Sequence, residues 1–97
     1  MTVTKAGIVQ EIASKTGFTK KDTTAIVNYF IEAIIKSLER NDRIELREFG
    51  VFMNKRRKEK VGRNFKTGHP MELPSRLVPV FKPSKLLKKK IETIESK

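Results

Sequence analysis

Apolar side chains recur at helical spacing from the start of the chain. Ile8, Val9, Ile12 and Ala13 share one stripe, with Thr4 placed to cap the first turn and Gly17 to stop the last. A short amphipathic helix is expected between those two residues. Gly7 within it costs up to about 1 kcal/mol relative to Ala, so the helix depends on tertiary packing. Thr19-Lys20-Lys21-Asp22 then has the form of a capping box, with a hydroxyl aimed at the Asp22 amide and an acid in the first turn. The helix that follows is expected to run to about Asn41. Its apolar positions, Ala25, Ile26, Val27, Tyr29, Phe30, Ile31, Ala33, Ile34, Ile35 and Leu38, fill more than a one-sided stripe. It therefore has two faces to bury. A second copy of the chain is the simplest cover, and strands from the same chain are the alternative.

After Asn41-Asp42 the period changes to two. Ile44 and Leu46 alternate with Arg43, Glu45 and Arg47, then Glu48-Phe49-Gly50 leads into Val51-Phe52-Met53, which reads as strand, tight turn and strand. Phe49 and Phe52 are assigned to the core. Residues 53–76 break the pattern, carrying eight basic and two acidic side chains and only five apolar ones. Such a segment has no core of its own. Gly62, Asn64, Thr67 and Gly68 are turn formers between two extensible stretches, so a long protruding hairpin is expected with its tip near residues 63–67. The chain returns as the strand Leu77-Val78-Pro79-Val80-Phe81, where Pro79 removes one ladder donor and points to an edge or a bulge. Ser84 then caps a last helix bearing Leu87, Ile91 and Ile94, with Lys88-Lys89-Lys90 toward solvent and residues 95–97 fraying.

Size and charge narrow the picture. The chain has 97 residues, enough for one small domain, and its 37% hydrophobic content makes a lean core. With no Cys there is no disulfide framework or thiolate nucleophile, which again favours pairing with another chain. No apolar run is long enough for a membrane span or a secretory signal, so a cytoplasmic location is expected. The formal charge is +11 and is unevenly spread. Residues 1–42 hold six basic and five acidic side chains, whereas residues 43–97 hold 16 and six. A surface charged only for solubility mixes signs along the chain, so the asymmetry marks a binding region for a polyanion. The organisation expected is a single domain over residues 1–97: a helical dimerisation part at 1–42, a sheet at 43–82 with its arm at about 53–76, and a C-terminal helix and tail at 83–97.

Catalytic chemistry finds no support: no phosphate-cradling loop, no nucleophile with its base and orienting acid, and no cofactor motif. His69 is the only histidine and too few ligands accompany it for zinc, so no metal and no small-molecule substrate are expected; it is read as a solvated turn residue or a phosphate contact. The arm remains. Roughly ten residues per strand at about 3.3 Å each reach some 33 Å, enough to curl partly around a double helix, and a dimer would carry two such arms. Lys55, Arg56, Arg57, Lys58, Lys60, Arg63 and Lys66 would neutralise phosphates and release counterions. Phe65 is an aromatic at the expected tip of a coreless basic ribbon. One reading is a wedge between base steps; the other is that it folds back on Met71 or Val61.

Three stretches resemble a known family: Arg43-Ile44-Glu45-Leu46-Arg47-Glu48-Phe49-Gly50-Val51-Phe52, Gly62-Arg63-Asn64-Phe65-Lys66-Thr67-Gly68, and Val80-Phe81-Lys82-Pro83-Ser84-Lys85. Their order is similar to that in the HU and integration host factor group of bacterial architectural DNA-binding proteins, whose bending through the minor groove is established. The resemblance implies an α+β fold: an intertwined dimer with a helical body, a small antiparallel sheet with a long β-hairpin arm per subunit, and a C-terminal helix. It implies double-stranded DNA as partner, a place in the nucleoid and a homodimer, with a heterodimer of paralogues as the alternative. Arg63 and Asn64 would then enter the groove beside the wedge, and Lys5, Lys82 and Lys85 would meet phosphates along the flanks. Ile26, Phe30, Ile34, Phe49 and Phe52 would form the dimer core. The segment Ile44-Glu45-Leu46-Arg47 looks like the beta subunit of integration host factor, which implies that Glu45 and Arg47 assist sequence preference. The chain departs from the family pattern where Phe65 replaces the usual tip Pro and where Glu48 and Ser84 replace Gly. An RNA-binding or ribosome-associated protein is the rival reading, since it would share the charge asymmetry.

Overall fold

The computed structural model describes residues 1–58, 62–63, 70–71 and 75–95, of which 62–63 and 70–71 are described by backbone alone. The chain forms two compact units, residues 1–36 and 37–97.

In the first unit, helix α1 spans Lys5–Thr16. The Thr4 hydroxyl accepts a hydrogen bond from the Gly7 amide at 3.2 Å, as the sequence predicts for an N-cap. At the other end Gly17 sits at φ 79°, and its amide donates to the Ala13 carbonyl at 2.9 Å. Helix α2 spans Lys20–Glu39. Its first turn is held by the Thr19 hydroxyl, which accepts from the Asp22 amide at 3.1 Å. Val9 and Ala13 of α1 and Thr23 of α2 are buried, and the Thr23 hydroxyl is satisfied by donating to the Thr19 carbonyl at 2.8 Å. The outer side of α2 is uncovered in the single chain, with Ile26 57%, Phe30 53% and Tyr29 72% exposed.

The second unit begins with the end of α2, two residues earlier than expected. Asn41 takes a left-handed conformation at φ 60°, which Asn tolerates better than most side chains. Its amide bonds the Leu38 carbonyl at 2.9 Å, and the Asp42 amide bonds the Ser37 carbonyl at 2.8 Å. Helical propagation stops there. Strand β1 (Ile44–Leu46), strand β2 (Gly50–Arg57) and strand β5 (Arg76–Pro83) make an antiparallel sheet in the order β1-β2-β5. Two further short strands, β3 (Gly62–Arg63) and β4 (Pro70–Met71), pair with each other.

β2 is one unbroken strand from the sheet into the arm, with Gly50 opposite Pro83 at one end and Arg57 opposite Arg76 at the other. Gly62 opposite Met71 and Arg63 opposite Pro70 keep the same register. Both ladders therefore belong to one hairpin, as the alternation of extensible stretches and turn formers predicts. Pro79 lies opposite Asn54 on β5, a strand at the sheet's edge, one of the two places its missing donor predicts.

Residues paired across strands project to the same face. One face collects Ile44, Phe52 and Phe81 in a row, and the rings of Phe49, Phe52 and Phe81 cluster there with centroids 4.8–6.4 Å apart. Gly50 makes this packing possible. A Cβ at that position would lie 2.4 Å from the Lys82 carbonyl oxygen and 2.6 Å from the Phe81 ring. Asn54 ties the same sheet to the end of α2 by donating its amide to the Leu38 carbonyl at 2.7 Å and to Asn41 Oδ1 at 3.2 Å. Of the two Phe residues assigned to the core, Phe52 is half-buried, whereas Phe49 remains 47% exposed in the single chain.

Helix α3 (Lys85–Glu95) closes the unit. Ser84 is its N-cap, with the hydroxyl accepting from the Leu87 amide at 3.1 Å. Leu87 is half-buried, Lys88, Lys89 and Lys90 are exposed, and Ile91 and Ile94 are 57% and 68% exposed.

Candidate nucleic-acid interface

The opposite face of the sheet carries charge. Period-two alternation along β2 sends Val51, Met53, Lys55 and Arg57 to that face, opposite Lys82, Val80, Val78 and Arg76. Glu45 of β1 pairs with Val51 and so joins the same row as Lys82. The face thus runs from an acid and a lysine at its base, over half-buried Val51, Met53, Val78 and Val80, to Lys55, Arg57 and Arg76 where the arm leaves the sheet.

This geometry divides a group that charge counting treats as one. Lys55 and Arg57 share the basic face, whereas Arg56 pairs with Leu77 on the other side, with its guanidinium 3.4 Å from the Ser75 hydroxyl. Lys58 follows the strand and is exposed. Arg76 was not singled out from sequence. Its position opposite Arg57 places it on the face with Lys55 and Lys82, and the signal that finds it is the constant hairpin register rather than any local motif.

Arg47 is exposed in the turn after β1, one residue before Glu48, which holds φ 67°. Lys85 is exposed at the first position of α3. Lys5 lies in the other compact unit, where its ammonium donates to Asn28 Oδ1 at 2.9 Å. That acceptor is neutral, so the bond orients the ammonium without cancelling its charge. Lys60, Asn64, Phe65 and Lys66 lie outside the described residues, and Arg63 is placed only as the partner of Pro70 in the β3–β4 ladder.

Three of the six cations in residues 1–42 are paired with acids. Lys15–Glu11 and Lys36–Glu32 are helical i,i+4 pairs at 3.0 Å, and Arg40–Asp42 closes at 3.1 Å. Exposed pairs of this kind contribute about 0.3–0.5 kcal/mol each. Lys55, Arg57, Lys82 and Lys85 make no ion pair among the described residues, so their charge is available to a polyanion. Among the described residues no cluster of metal-ligating side chains forms, and no helix is long and apolar enough to cross a membrane.

Comparison with known proteins returns one family. Its profile, described as bacterial DNA-binding protein, matches residues 3–92. The chain is 40% identical over 86 residues to integration host factor subunit alpha of Anaeromyxobacter sp. (strain Fw109-5), covering 89% of this chain and 87% of that protein. It is 34% identical over 93 residues to the DNA-binding protein HU of Treponema pallidum, covering 96% and 89%. Among solved structures, an Anabaena HU–DNA cocrystal structure matches with a TM-score of 0.77 at 36% identity, over 92% of this chain and 97% of that one. HU from Thermotoga maritima matches with a TM-score of 0.64 at 27% identity, over 92% and 98%.

Proposed function

The chain belongs to the bacterial DNA-binding protein family, that of HU and integration host factor, and on that premise we propose that it is a homodimeric nucleoid protein that grips duplex DNA with two arms in the minor groove and bends it. It is a histone-like DNA-binding protein of a family whose members are not enzymes.

The single observation that carries the mechanism is the segregation of the sheet. Lys55, Arg57, Arg76 and Lys82 occupy one face of a single hairpin and its supporting strands, opposite a packed aromatic face. A duplex laid on that face meets phosphate-binding cations without disturbing the packing behind them. Lys58, Lys60, Arg63, Asn64 and Lys66 extend the contact along the arm, Lys5, Lys82 and Lys85 engage phosphates at the flanks, and Phe65 wedges between base steps at the tip. The wedge costs a few kcal/mol of stacking and is offset by the phosphates that the bend brings within reach. Specificity is weak to moderate, because phosphate contacts carry no sequence information. What preference exists comes from Glu45 and Arg47, which are exposed beside the Lys82 row and in the adjoining turn.

Dimer formation is supported by the exposed apolar surface of the single chain: Ile26, Phe30 and Phe49 are each about half exposed, and so are Ile91 and Tyr29 or more so. Ile34 of the first unit and Phe52 of the second are each half-buried. A second copy is the occupant that matches it, and sedimentation at micromolar concentration is expected to show one species of twice the chain mass.

Two measurements test the DNA mode. If about eight phosphates are neutralised, log affinity falls with log salt at a slope near −7, and a slope near −1 overturns the phosphate-clamp reading. Phe65→Ala is expected to keep most of the affinity while reducing the bend read by end-to-end fluorescence transfer; an unchanged bend removes Phe65 from the mechanism. Competition between duplex DNA and duplex RNA is expected to favour DNA, since A-form RNA offers only a shallow minor groove.

A further inference from the structure

Two residues remote in sequence meet in space: Glu48 and Ser84 are 36 residues apart in the chain. The Ser84 hydroxyl donates to the Glu48 carbonyl at 2.8 Å, and the Ser84 amide donates to the Phe49 carbonyl at 2.9 Å. The same hydroxyl accepts from the Leu87 amide at 3.1 Å. One side chain thus clasps the β1–β2 turn to the first turn of α3.

The clasp sits where backbone strain needs it. Glu48 is at φ 67°, a left-handed conformation that costs a residue with a Cβ free energy that Gly does not lose. Left alone, the turn would relax. Arg47 precedes the strained residue and Lys85 follows the clasping one, so relaxation would displace two cations relative to each other.

We infer that Ser84 is a positioning residue for DNA binding, holding the strained Glu48 turn so that Arg47, Lys82 and Lys85 act as one preorganised cationic group for the flanks of a duplex. The inference rests on the flank contacts proposed above and goes beyond them. It assigns a cause to their geometry. Ser84 is half-buried by this arrangement and has both capacities of its hydroxyl in use.

The test compares full-length wild type, Ser84→Gly, Ser84→Thr, Glu48→Gly and the double variant Glu48→Gly with Ser84→Gly. Each is titrated with a short duplex that only the arms can grip and with one about two helical turns longer, which reaches the flanks. Ser84→Gly keeps nearly all of the helix cap, because Gly serves at an N-cap almost as well as Ser, but it removes the clasp. Its expected effect is a roughly fivefold loss on the long duplex, the equivalent of about one hydrogen bond, with the short duplex unchanged. Ser84→Thr retains the hydroxyl and the wild-type affinity. The double variant regains long-duplex affinity, because Gly at position 48 rests in the left-handed turn without a clasp. An equal loss on both duplexes, no loss on either, or no recovery in the double variant overturns the inference, since a cap acting on stability alone would give those patterns. Equal wild-type affinity for the two duplexes has a different meaning: it removes the flank contacts themselves, and the positioning role with them.

Discussion

The two faces of the β1-β2-β5 sheet are built from alternate residues of the same strands and carry opposite chemistry. One face packs Phe52 and Phe81 with ring centroids 4.8 Å apart against the close backbone of Gly50. The other holds Lys55, Arg57, Arg76 and Lys82 in register, with the acid Glu45 at its base. Neighbouring positions such as Arg56 and Arg57 therefore differ more in role than residues 25 apart such as Arg57 and Lys82. Composition averages over the two faces; the pleat separates them. The packed face depends on shape, whereas a face of cations is suited to Coulomb attraction, which tolerates approximate placement.

The largest expected break in this comparison is removal of the arm. Replacing residues 58–75 by a two-residue turn is expected to lower duplex affinity about a hundredfold by deleting phosphate contacts and to abolish the bend in fluorescence transfer. Thermal melting of the remaining sheet should change little, because the aromatic cluster and the Asn54 hydrogen bonds lie outside the deleted segment. Retention of the full bend would refute the arm's role.

On the packed face, Gly50→Ala is expected to destabilise the protein by about 2 kcal/mol, since the added methyl meets backbone and an aromatic ring that cannot both retreat. Chemical denaturation followed by circular dichroism measures this, and a midpoint equal to wild type would show that the Phe81 ring has room to move. Glu48→Gly acts in the opposite sense. Relief of the left-handed strain is expected to raise stability by about 1 kcal/mol, read as a shift of the same midpoint.

The smallest effect separates the faces most finely. Arg57→Ala is expected to reduce the log–log salt slope of binding by about one, the signature of one lost phosphate contact. Arg56→Ala, one residue away but opposite Leu77, is expected to leave that slope unchanged. Equal slopes for the two variants would mean that the arm rotates its faces freely on DNA.

Much of the scaffold was readable from local chemistry. Thr4, Gly17, Thr19 and Ser84 each terminate or cap a helix by satisfying backbone groups within a few residues, so their capping depends on nearby sequence alone. The hairpin was readable for the same reason, as turn formers between stretches without a core. The end of α2 was missed by two residues because Asn41 can continue a helix or leave it, and here it leaves in a left-handed conformation that Asn54 of β2 meets with a hydrogen bond.

By itself the sequence determined that the chain would be small, helical then extended, lean in apolar residues and strongly basic in its second half, which was enough to indicate a polyanion and a family. Tertiary structure decided which cations share a face, that Arg76 joins them and Arg56 does not, and that the Ser84 hydroxyl meets the Glu48 carbonyl. Those facts depend on strand register and on contacts across 36 residues. Register is set by the packing of one whole face at once, and no local window of residues contains it.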